Sequence, residues 1–364
     1  MLRWISLHSF RSYSELIWTP EPGTNVLVGD NGSGKTNLLE AVAYLATLRS
    51  FRSAPDEALI KAGADLAAVR GETGDEDRTH LIELEIPRRG RRRVRLDQKS
   101  LQRSSHLREV VKVVTFLPED LELAKGGPQA RRDLIDDLAT QLWPGAELDQ
   151  GEFDRALRQR NAFLRSGSRD EATLQVWDSR LAQAAGRVML RRARAAAAIA
   201  GILSENYSLV AGREESIDLG YESEWGGSLD PKTPPAEWEQ ALREALRGRR
   251  RADWETATTG AGPHRDDVII SIGPRPARHQ ASQGEQRTLA LALRLASHTA
   301  ISEATKVIPL LLLDDVFSEL DHRRAGLLTK ALPAAQTLIT TTRPEEVPVD
   351  GTVWRVEGGA IHGS

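Results

Sequence analysis

The fold is decided by the stretch Asn25-Val-Leu-Val-Gly29-Asp-Asn-Gly-Ser-Gly-Lys-Thr-Asn37. Its first four residues include an apolar run that ends at a glycine, a pattern typical of a buried strand. The residues that follow Asn37 have their apolar positions at helical spacing. A strand, a glycine-rich loop and a helix therefore follow one another in the order that a phosphate-binding loop requires.

The loop itself fits the pattern Gly-x4-Gly-Lys-Thr. In such loops the glycines let backbone N–H groups curl around phosphate oxygens at a helix N-terminus. Lys35 then reaches the β and γ phosphates of a nucleotide, and the Thr36 hydroxyl ligates Mg²⁺. A chance glycine turn is the alternative, but it would not need the strand before it and the helix after it. The predicted nucleotide contacts are Gly29, Asp30, Asn31, Gly32, Ser33, Gly34, Lys35, Thr36 and Asn37.

A second motif supplies carboxylates. The apolar run Pro309–Leu313 ends in Asp314 and Asp315, as expected of a buried strand that ends at an active site. Asp314 would hold Mg²⁺ directly or through water, and Asp315 would orient or deprotonate the attacking water. A helix N-cap or a solvated turn is the alternative for two adjacent acids. Lys35 and Asp315 are the predicted catalytic residues.

A third motif, Ser282-Gln-Gly-Glu-Gln286, opens a segment with helical spacing. Small polar residues and a glycine at a helix start can form an anion site, because free N–H groups and the positive end of the helix dipole face the ligand. A helix cap of serine and glycine has the same sequence. The position of the motif, shortly before the acidic strand, favours the anion site.

Composition limits the class of protein. The chain has 364 residues, a formal net charge of −3 and no cysteine, which excludes a disulfide scaffold, a thiol nucleophile and a cysteine-ligated metal site. Its apolar stretches fall short of the roughly 20 residues that a membrane-spanning helix needs. The first residues also lack a signal-peptide pattern. We expect a cytoplasmic protein with no membrane partner.

The chain divides into two kinds of sequence. Residues 121–208 have few glycines and helical periodicity, and we predict that they form an inserted helical arm lobe. This segment lacks the sustained heptads of a long coiled coil. Residues 1–120 and 209–364 mix strand and helix patterns, and we predict that they form one discontinuous α/β head.

The order of the motifs is that of an ATP-binding-cassette (ABC) head, and the whole chain resembles the RecF family of bacterial recombination ATPases. This family is related to the heads of chromosome-maintenance ATPases. Cassette transporters lack two of the matching segments, Phe116–Leu121 and Gly262–Asp267, in this arrangement. The full set of matching segments is Phe10–Tyr13, Gly29–Glu40, Phe116–Leu121, Gly262–Asp267, Ala281–Thr288 and Leu310–Asp321.

The resemblance implies an ABC-type P-loop ATPase head that uses ATP and Mg²⁺ and forms an ATP-dependent homodimer with two sandwiched ATP molecules. The signature of one subunit would contact the γ phosphate held by Lys35 of the other, and Arg11 would lie near the nucleotide unless it is a solvated surface arginine. The residues implied in the signature are Ser282, Gln283, Gly284, Glu285 and Gln286, and those of the D-loop, the loop that follows the acidic strand, include Ser318 and Asp321.

The resemblance also implies a role in DNA replication, repair, recombination and the SOS response. Such a protein binds duplex DNA and single-strand/double-strand junctions near gaps, hydrolyses ATP weakly in a DNA-dependent manner, and works with RecR- and RecO-type mediators to load recombinase. The shorter Asp315, where transporters usually carry glutamate, predicts slow turnover. Thr340–Thr342 occupy the position of the transporters' switch histidine.

DNA contact has to come from basic patches, since no helix-turn-helix or zinc-finger pattern is present. Clustered arginines favour recognition of the duplex backbone without base readout. A solvated charged face is the alternative for each patch. The candidates are Arg88, Arg89, Arg91, Arg92, Arg93, Arg155, Arg158 and Arg160.

Two other functions fit part of the pattern. An ATP-binding subunit of a membrane transporter would share the phosphate loop, the signature and the acidic strand, but it would need a coupling surface for membrane helices. A non-hydrolysing interaction protein would use the nucleotide only to hold a dimer together.

Overall fold

The computed structural model describes residues 1–75, 77–228, 230–318 and 320–363. The chain forms two compact units. Unit 1 comprises Met1–Asp120, Ser208–Arg213 and Leu291–Ser364, and unit 2 comprises Leu121–Tyr207 and Glu214–Ala290. Residues 214–290, which the sequence pattern assigns to the head, thus group with the helical segment.

Numbered along the chain, the strands are β1 (Leu2–Phe10), β2 (Tyr13–Trp18), β3 (Thr24–Val28), β4 (Leu66–Gly74), β5 (Thr79–Pro87), β6 (Arg93–Leu96), β7 (Lys99–Ser100), β8 (Val113–Phe116), β9 (Ile217–Ser223), β10 (Gly227–Ser228), β11 (Asp267–Ile272), β12 (Arg275–Pro276), β13 (Leu310–Asp314), β14 (Thr337–Thr341), β15 (Thr352–Glu357) and β16 (Ala360–Gly363). The α-helices are α1 (Lys35–Thr47), α2 (Asp56–Leu59), α3 (Ser104–Val110), α4 (Glu122–Lys125), α5 (Pro128–Leu142), α6 (Ala146–Arg165), α7 (Glu171–Ala211), α8 (Pro235–Thr256), α9 (Ala277–Gln280), α10 (Gln283–Thr305) and α11 (His322–Ala331).

Two sheets organise unit 1. The first has the strand order β2-β1-β4-β5-β6-β7 and is antiparallel throughout. The second has the order β16-β15-β3-β14-β13-β8, and all its pairs are parallel except that of the edge strand β16. One apolar cluster joins residues of α1 to both sheets. The loops that follow β3 and β13 therefore lie at the same edge of the second sheet, because parallel strands share their carboxyl edge.

The central strands are covered on both faces. Every residue of β13 and β14 is buried, so neither has the alternation of a half-exposed strand. Strand β13 begins with four leucines, whereas β14 combines Leu338 and Ile339 with three buried threonines. Helix α1 is likewise buried from Leu38 to Ala46. These elements hold the phosphate loop between a rigid strand and a rigid helix.

Unit 2 is built from helices and one antiparallel sheet of order β10-β9-β11-β12. The helical patterns expected at 131–142, 152–164 and 174–203 lie within α5, α6 and α7, and α7 is 41 residues long. In the described part of the chain, every helix is too short or too polar to span a bilayer.

A buried ion-pair network holds unit 2 together at Arg160. Its side chain is 0% exposed, and it donates to Asp178 and Asp253 over 2.8 Å each and to the Thr259 hydroxyl over 2.9 Å. This burial leaves Arg160 no surface to offer a phosphate. The prediction that Arg160 contacts DNA is corrected: an arginine inside a charged helix can be the centre of a paired core as well as part of a solvated face.

We expect Arg160→Ala to lower the free energy of unfolding by about 3–5 kcal/mol, because Asp253 is left buried without its ion-pair partner and Asp178 keeps only its pair with Arg250. Urea denaturation followed by circular dichroism measures this loss. The matched control, Arg158→Ala, removes an exposed arginine of the same helix and should change stability by no more than about 0.5 kcal/mol. Equal losses in both variants would contradict the assignment.

Candidate active site

The phosphate loop and the acidic strand meet in unit 1. Strand β14 pairs in parallel with both β3 and β13, so the ends of β3 and β13 are separated by one strand. The Thr36 hydroxyl donates to Asp314 Oδ1 over 2.9 Å, although 278 positions separate the two residues. The two strongest motifs of the sequence thus form one site.

The loop backbone requires glycine at specific positions. Gly32 and Gly34 have φ angles of 83° and 113°, in the region that side chains other than glycine rarely adopt. A Cβ atom on Gly29 would lie 2.3 Å from the Val356 carbonyl oxygen, and one on Gly34 would lie 2.9 Å from the Tyr13 hydroxyl. Glycine is therefore required at these positions by the backbone conformation and by the close packing of the loop against Val356 and Tyr13.

Lys35 is held against this loop. Its ammonium donates to the carbonyl oxygens of Gly29 over 2.6 Å and Asp30 over 2.9 Å. Burial lowers the pKa of Lys35, and the nearby carboxylates of Asp315, Asp314 and Asp30 act in the opposite direction. The side chain is positioned at the mouth of the loop, where a cation meets phosphate oxygens.

Asp314 receives two hydroxyl donors on one oxygen. Besides Thr36, the Thr340 hydroxyl donates to Asp314 Oδ1 over 2.7 Å. Burial raises the pKa of Asp314, while the hydrogen bonds from Thr340 and Thr36 lower it. Thr340 therefore keeps a buried carboxylate available, a role that the motifs of the sequence do not indicate. The signal for it is its position at the end of the strand between β3 and β13.

Asp315 combines a left-handed backbone conformation with a buried carboxylate oxygen. Its φ of 51° is left-handed, its N–H donates to the Thr340 hydroxyl over 2.9 Å, and its Oδ1 is buried without a hydrogen-bond partner among the described residues. A buried carboxylate oxygen without a partner is costly. Together with the hydroxyl of Thr36 and the carboxylate of Asp314, this oxygen fits a site for Mg²⁺ and a triphosphate.

A cleft of about 460 Å³ lies over these groups. Its size suits a nucleotide. Sequence reasoning missed Phe51 and Arg52, which line the cleft and belong to no motif; Arg52 also donates to Asn37 Oδ1 over 3.2 Å. The lining residues are Asn31, Gly32, Gly34, Lys35, Thr36, Asn37, Phe51, Arg52, Leu117, Pro118, Glu119, Asp314, Asp315, Thr340 and Thr342.

Arg11 is paired with an acid of α1. Its guanidinium forms two 2.8 Å hydrogen bonds with the carboxylate of Glu40 and donates to the Ala58 carbonyl over 2.9 Å. Glu40 lies in α1 and its side chain is 0% exposed. Arg11 is absent from the described lining of the cleft, so the structure places it as an anchor of the helix that follows the phosphate loop.

The signature segment lies in unit 2 and starts α10. The Ser282 N–H and hydroxyl both donate to Glu285 Oε2 over 2.9 Å, and the Glu285 N–H returns a bond to the Ser282 hydroxyl over 3.3 Å, which is a capping box. The hydrogen bond from the Ser282 N–H, with one from Arg275, lowers the pKa of Glu285 to about 2. Ser282 and Gln283 remain exposed, Gly284 is half-buried, and Gln286 donates to the Ala281 carbonyl over 2.9 Å.

The predicted D-loop residues lie near the acidic strand in unit 1. The Ser318 hydroxyl donates to the Asp315 carbonyl over 2.9 Å. Asp321 caps α11 by accepting the Arg324 N–H over 2.8 Å. Glu319, between them, lies outside the described residues. Ser318 is thus tied directly to the backbone of the predicted catalytic acid.

The arginine candidates for DNA contact differ in what they already bind. Arg88, Arg89 and Arg91 are exposed around the turn between β5 and β6, but the Arg88 guanidinium already donates to the Ala64 carbonyl over 3.0 and 2.9 Å. Arg93 pairs with Glu85 over 3.3 Å. Arg92 donates to the Leu48 carbonyl over 2.7 Å. On α6 the two exposed candidates are Arg155 and Arg158.

The segment Gly262–Asp267 has a structural role in unit 2. Asp267 accepts two hydrogen bonds from Arg131, over 2.9 and 2.8 Å, and Asp266 accepts the Tyr221 hydroxyl over 2.6 Å. Burial lowers the pKa of His264 to about 4, so its imidazole is neutral at physiological pH. This segment connects the sheet of unit 2 to α5 through ion pairs.

The sequence profile of the RecF/RecN/SMC N-terminal domain family matches residues 1–357. The DNA replication and repair protein RecF of Frankia alni is 39% identical over 370 residues, which cover 98% of each chain. The chain belongs to the RecF family. Its membership confirms the predicted role in DNA replication, repair and recombination and the predicted ATPase activity, and it rules against the transporter subunit.

Two solved structures resemble this RecF-family chain over its whole length. Both are of the recombination mediator protein RecF in the RecFOR pathway. The one with ATPrS has a TM-score of 0.91 at 27% identity and is covered over 98% of its chain. The one with ATP has a TM-score of 0.88 at 28% identity and is covered over 99%. The predicted ABC-type ATPase fold is thereby confirmed.

We expect Thr340→Val to move the acid limb of the pH–rate profile of ATP hydrolysis to higher pH. The substitution removes a donor that lowers the pKa of Asp314, so the carboxylate is protonated at a pH where the wild-type group is still ionised. Initial rates measured across the acidic range test this shift. Thr340→Ser keeps the hydroxyl and should retain the wild-type profile; identical profiles for all three proteins would contradict the role of Thr340.

Proposed function

We propose that this RecF-family ATPase is a clamp on DNA that two copies close around two ATP molecules. One observation carries the proposal: the hydrogen bond between Thr36 and Asp314 joins a phosphate loop and a metal-binding acid into one nucleotide site. Bound Mg²⁺ would neutralise charge on the triphosphate. Lys35 would bind the phosphates, Thr36 and Asp314 would hold the metal, and Asp315 would orient or deprotonate the attacking water.

The signature of the second copy would complete the site. Ser282 and Gln283 are exposed, and Ser282 is the N-cap of α10, whose N-terminus carries positive partial charge. The capping box orients this exposed turn. A γ phosphate held by Lys35 of one copy would meet the signature of the other, so closure is favoured by the affinity of ATP for the closed dimer and relaxes after hydrolysis.

Duplex DNA is the molecule that we propose the clamp binds. Arg88, Arg89, Arg91, Arg155 and Arg158 are exposed, and clustered exposed arginines bind backbone phosphates without reading bases. Relatives named for the RecFOR pathway support the proposal that RecO- and RecR-type mediators are partners. The clamp would act in the cytoplasm, near single-strand/double-strand junctions. Its weak, DNA-dependent ATP turnover would then time the loading of recombinase.

The clamp is tested by measuring whether the protein is a monomer or a dimer in three conditions: ATP with Mg²⁺, ADP, and no nucleotide. We expect an ATP-specific dimer that Ser282→Arg abolishes, because a bulky cation would fill the space of the γ phosphate. Multi-angle light scattering measures the mass, and retained binding of a fluorescent ATP analogue shows that the phosphate loop is intact. Gln159→Arg adds the same charge at an exposed position of α6 and should leave the dimer unchanged. A dimer that is indifferent to Ser282→Arg would refute the trans contact.

Asp315→Asn separates a hydrolase from a passive clamp. We expect ATP turnover to fall by about 10²-fold or more, since the amide cannot accept a proton from water, while the ATP-dependent dimer persists longer than that of the wild type. Phosphate release and light scattering on the same samples measure both quantities. Unchanged turnover and an unchanged dimer lifetime would favour the non-hydrolysing interaction protein.

A further inference from the structure

A second cavity in unit 1 has the size of a ligand site and lies apart from the phosphate loop. Its volume is about 470 Å³, close to the 460 Å³ of the phosphate-loop cleft, and both fall within the roughly 300–1,000 Å³ typical of small-ligand sites. Strands β6 and β7 and the residues that lead into α3 form it. None of its described lining residues belongs to the phosphate-loop cleft.

The lining of this cavity is cationic. It includes Arg92, Arg93, Arg95 and Arg103, and no carboxylate lines it among the described residues. The neighbouring cavity on the other side of the β5–β6 turn differs, because Asp56 and Glu57 line it together with arginines. Asp56 and Glu85 pair with Arg92 and Arg93 from outside this lining, so the positive potential that suits a phosphate comes mainly from Arg95 and Arg103.

Two of the four arginines have their donors available. Arg92 is engaged by the Leu48 carbonyl and Arg93 by Glu85. Arg95 and Arg103 are exposed, and within the part of the chain that the structure describes neither guanidinium has a hydrogen bond or ion pair. Arg95 pairs with Ser100 across β6 and β7, which brings its strand beside the segment that carries Arg103.

The cavity also has an apolar wall. Leu48, Val94 and Leu101 line it, and Val94 and Leu101 pack against the core of unit 1. The Leu101 N–H donates to the Val94 carbonyl over 2.8 Å, so this wall is fixed by the hairpin. A ligand with a phosphate group next to a flat apolar group matches guanidinium donors beside an aliphatic surface.

We propose that this cavity, here called the β6–β7 pocket, binds one nucleotide unit, with the phosphate on Arg95 and Arg103 and the base against Leu48 and Leu101. A duplex is too wide to enter a cavity of 470 Å³, so the unit comes from a single strand or from a free nucleotide. The inference rests on the proposed function in one respect: a DNA clamp that acts at junctions lies close to single-stranded DNA.

Fluorescence anisotropy with labelled oligothymidylate tests the pocket in the full-length protein. This probe lacks the β and γ phosphates that a phosphate loop holds. We expect Arg95→Gln/Arg103→Gln to weaken its binding about tenfold and to flatten the slope of log affinity against log salt by about 0.7, because the contact with one phosphate is lost. The control Arg180→Gln/Arg247→Gln removes the same charge from exposed positions of α7 and α8 and should retain the wild-type affinity.

Competition with thymidine monophosphate identifies the source of the nucleotide. Displacement of the oligomer by the monophosphate supports a free nucleotide as ligand, and failure to displace a bound oligomer supports a single strand. Unchanged oligomer binding by Arg95→Gln/Arg103→Gln, or an equal loss in the control, would overturn the pocket. A separate titration with blunt duplex DNA tests the proposed function independently of the pocket. If Arg89→Gln/Arg91→Gln retains the wild-type affinity for the duplex, the proposed duplex contact at that turn is wrong, and the proposed β6–β7 pocket is unaffected.

Discussion

The parallel register of three strands is the constraint on which the active site depends. Because β14 lies between β3 and β13, the loop after β3 and the acids after β13 emerge at one edge, and Thr340 at the end of β14 contacts Asp314 and Asp315. The paired strands fix the positions of these groups relative to one another, since β13 and β14 are fully buried and the interior of β3 is buried as well. A shift of β13 by one residue would turn Asp314 toward the other face of the sheet.

Much of this site could be predicted because its signals are contiguous. The glycine loop and the leucine-rich strand with its two acids each carry their own strand or helix context, so local patterns suffice. Phe51 and Arg52 could not be found this way, since they reach the cleft from a segment without a motif. The sequence places Thr340 at a switch position but does not indicate its hydrogen bond to Asp314. Arg11 lies in a segment that resembles the family, but its contact with Glu40 depends on long-range packing that the sequence does not display.

Charge patterns were the least informative part of the sequence. Arg160 and Arg158 are two positions apart and identical in chemistry, yet the first is fully buried and the second is exposed. The acids that decide the difference, Asp178 and Asp253, lie 18 and 93 positions away. Helical spacing places Arg160 on the inner face of α6, but only the structure shows that it contacts the carboxylates of Asp178 and Asp253 there. Asp267 follows the same rule, because its ion-pair partner Arg131 lies 136 positions away.

The pair of Arg11 and Glu40 has a thermodynamic consequence for the loop. Glu40 sits in the second turn of α1, and its carboxylate also accepts the Ser50 hydroxyl over 2.5 Å, so the helix is held to the segments that carry Arg11 and Ser50. A ligand at Gly34 and Lys35 thus meets a backbone that is already ordered. Binding then costs conformational entropy mainly in the ligand and a few side chains, so most of the interaction energy contributes to the affinity.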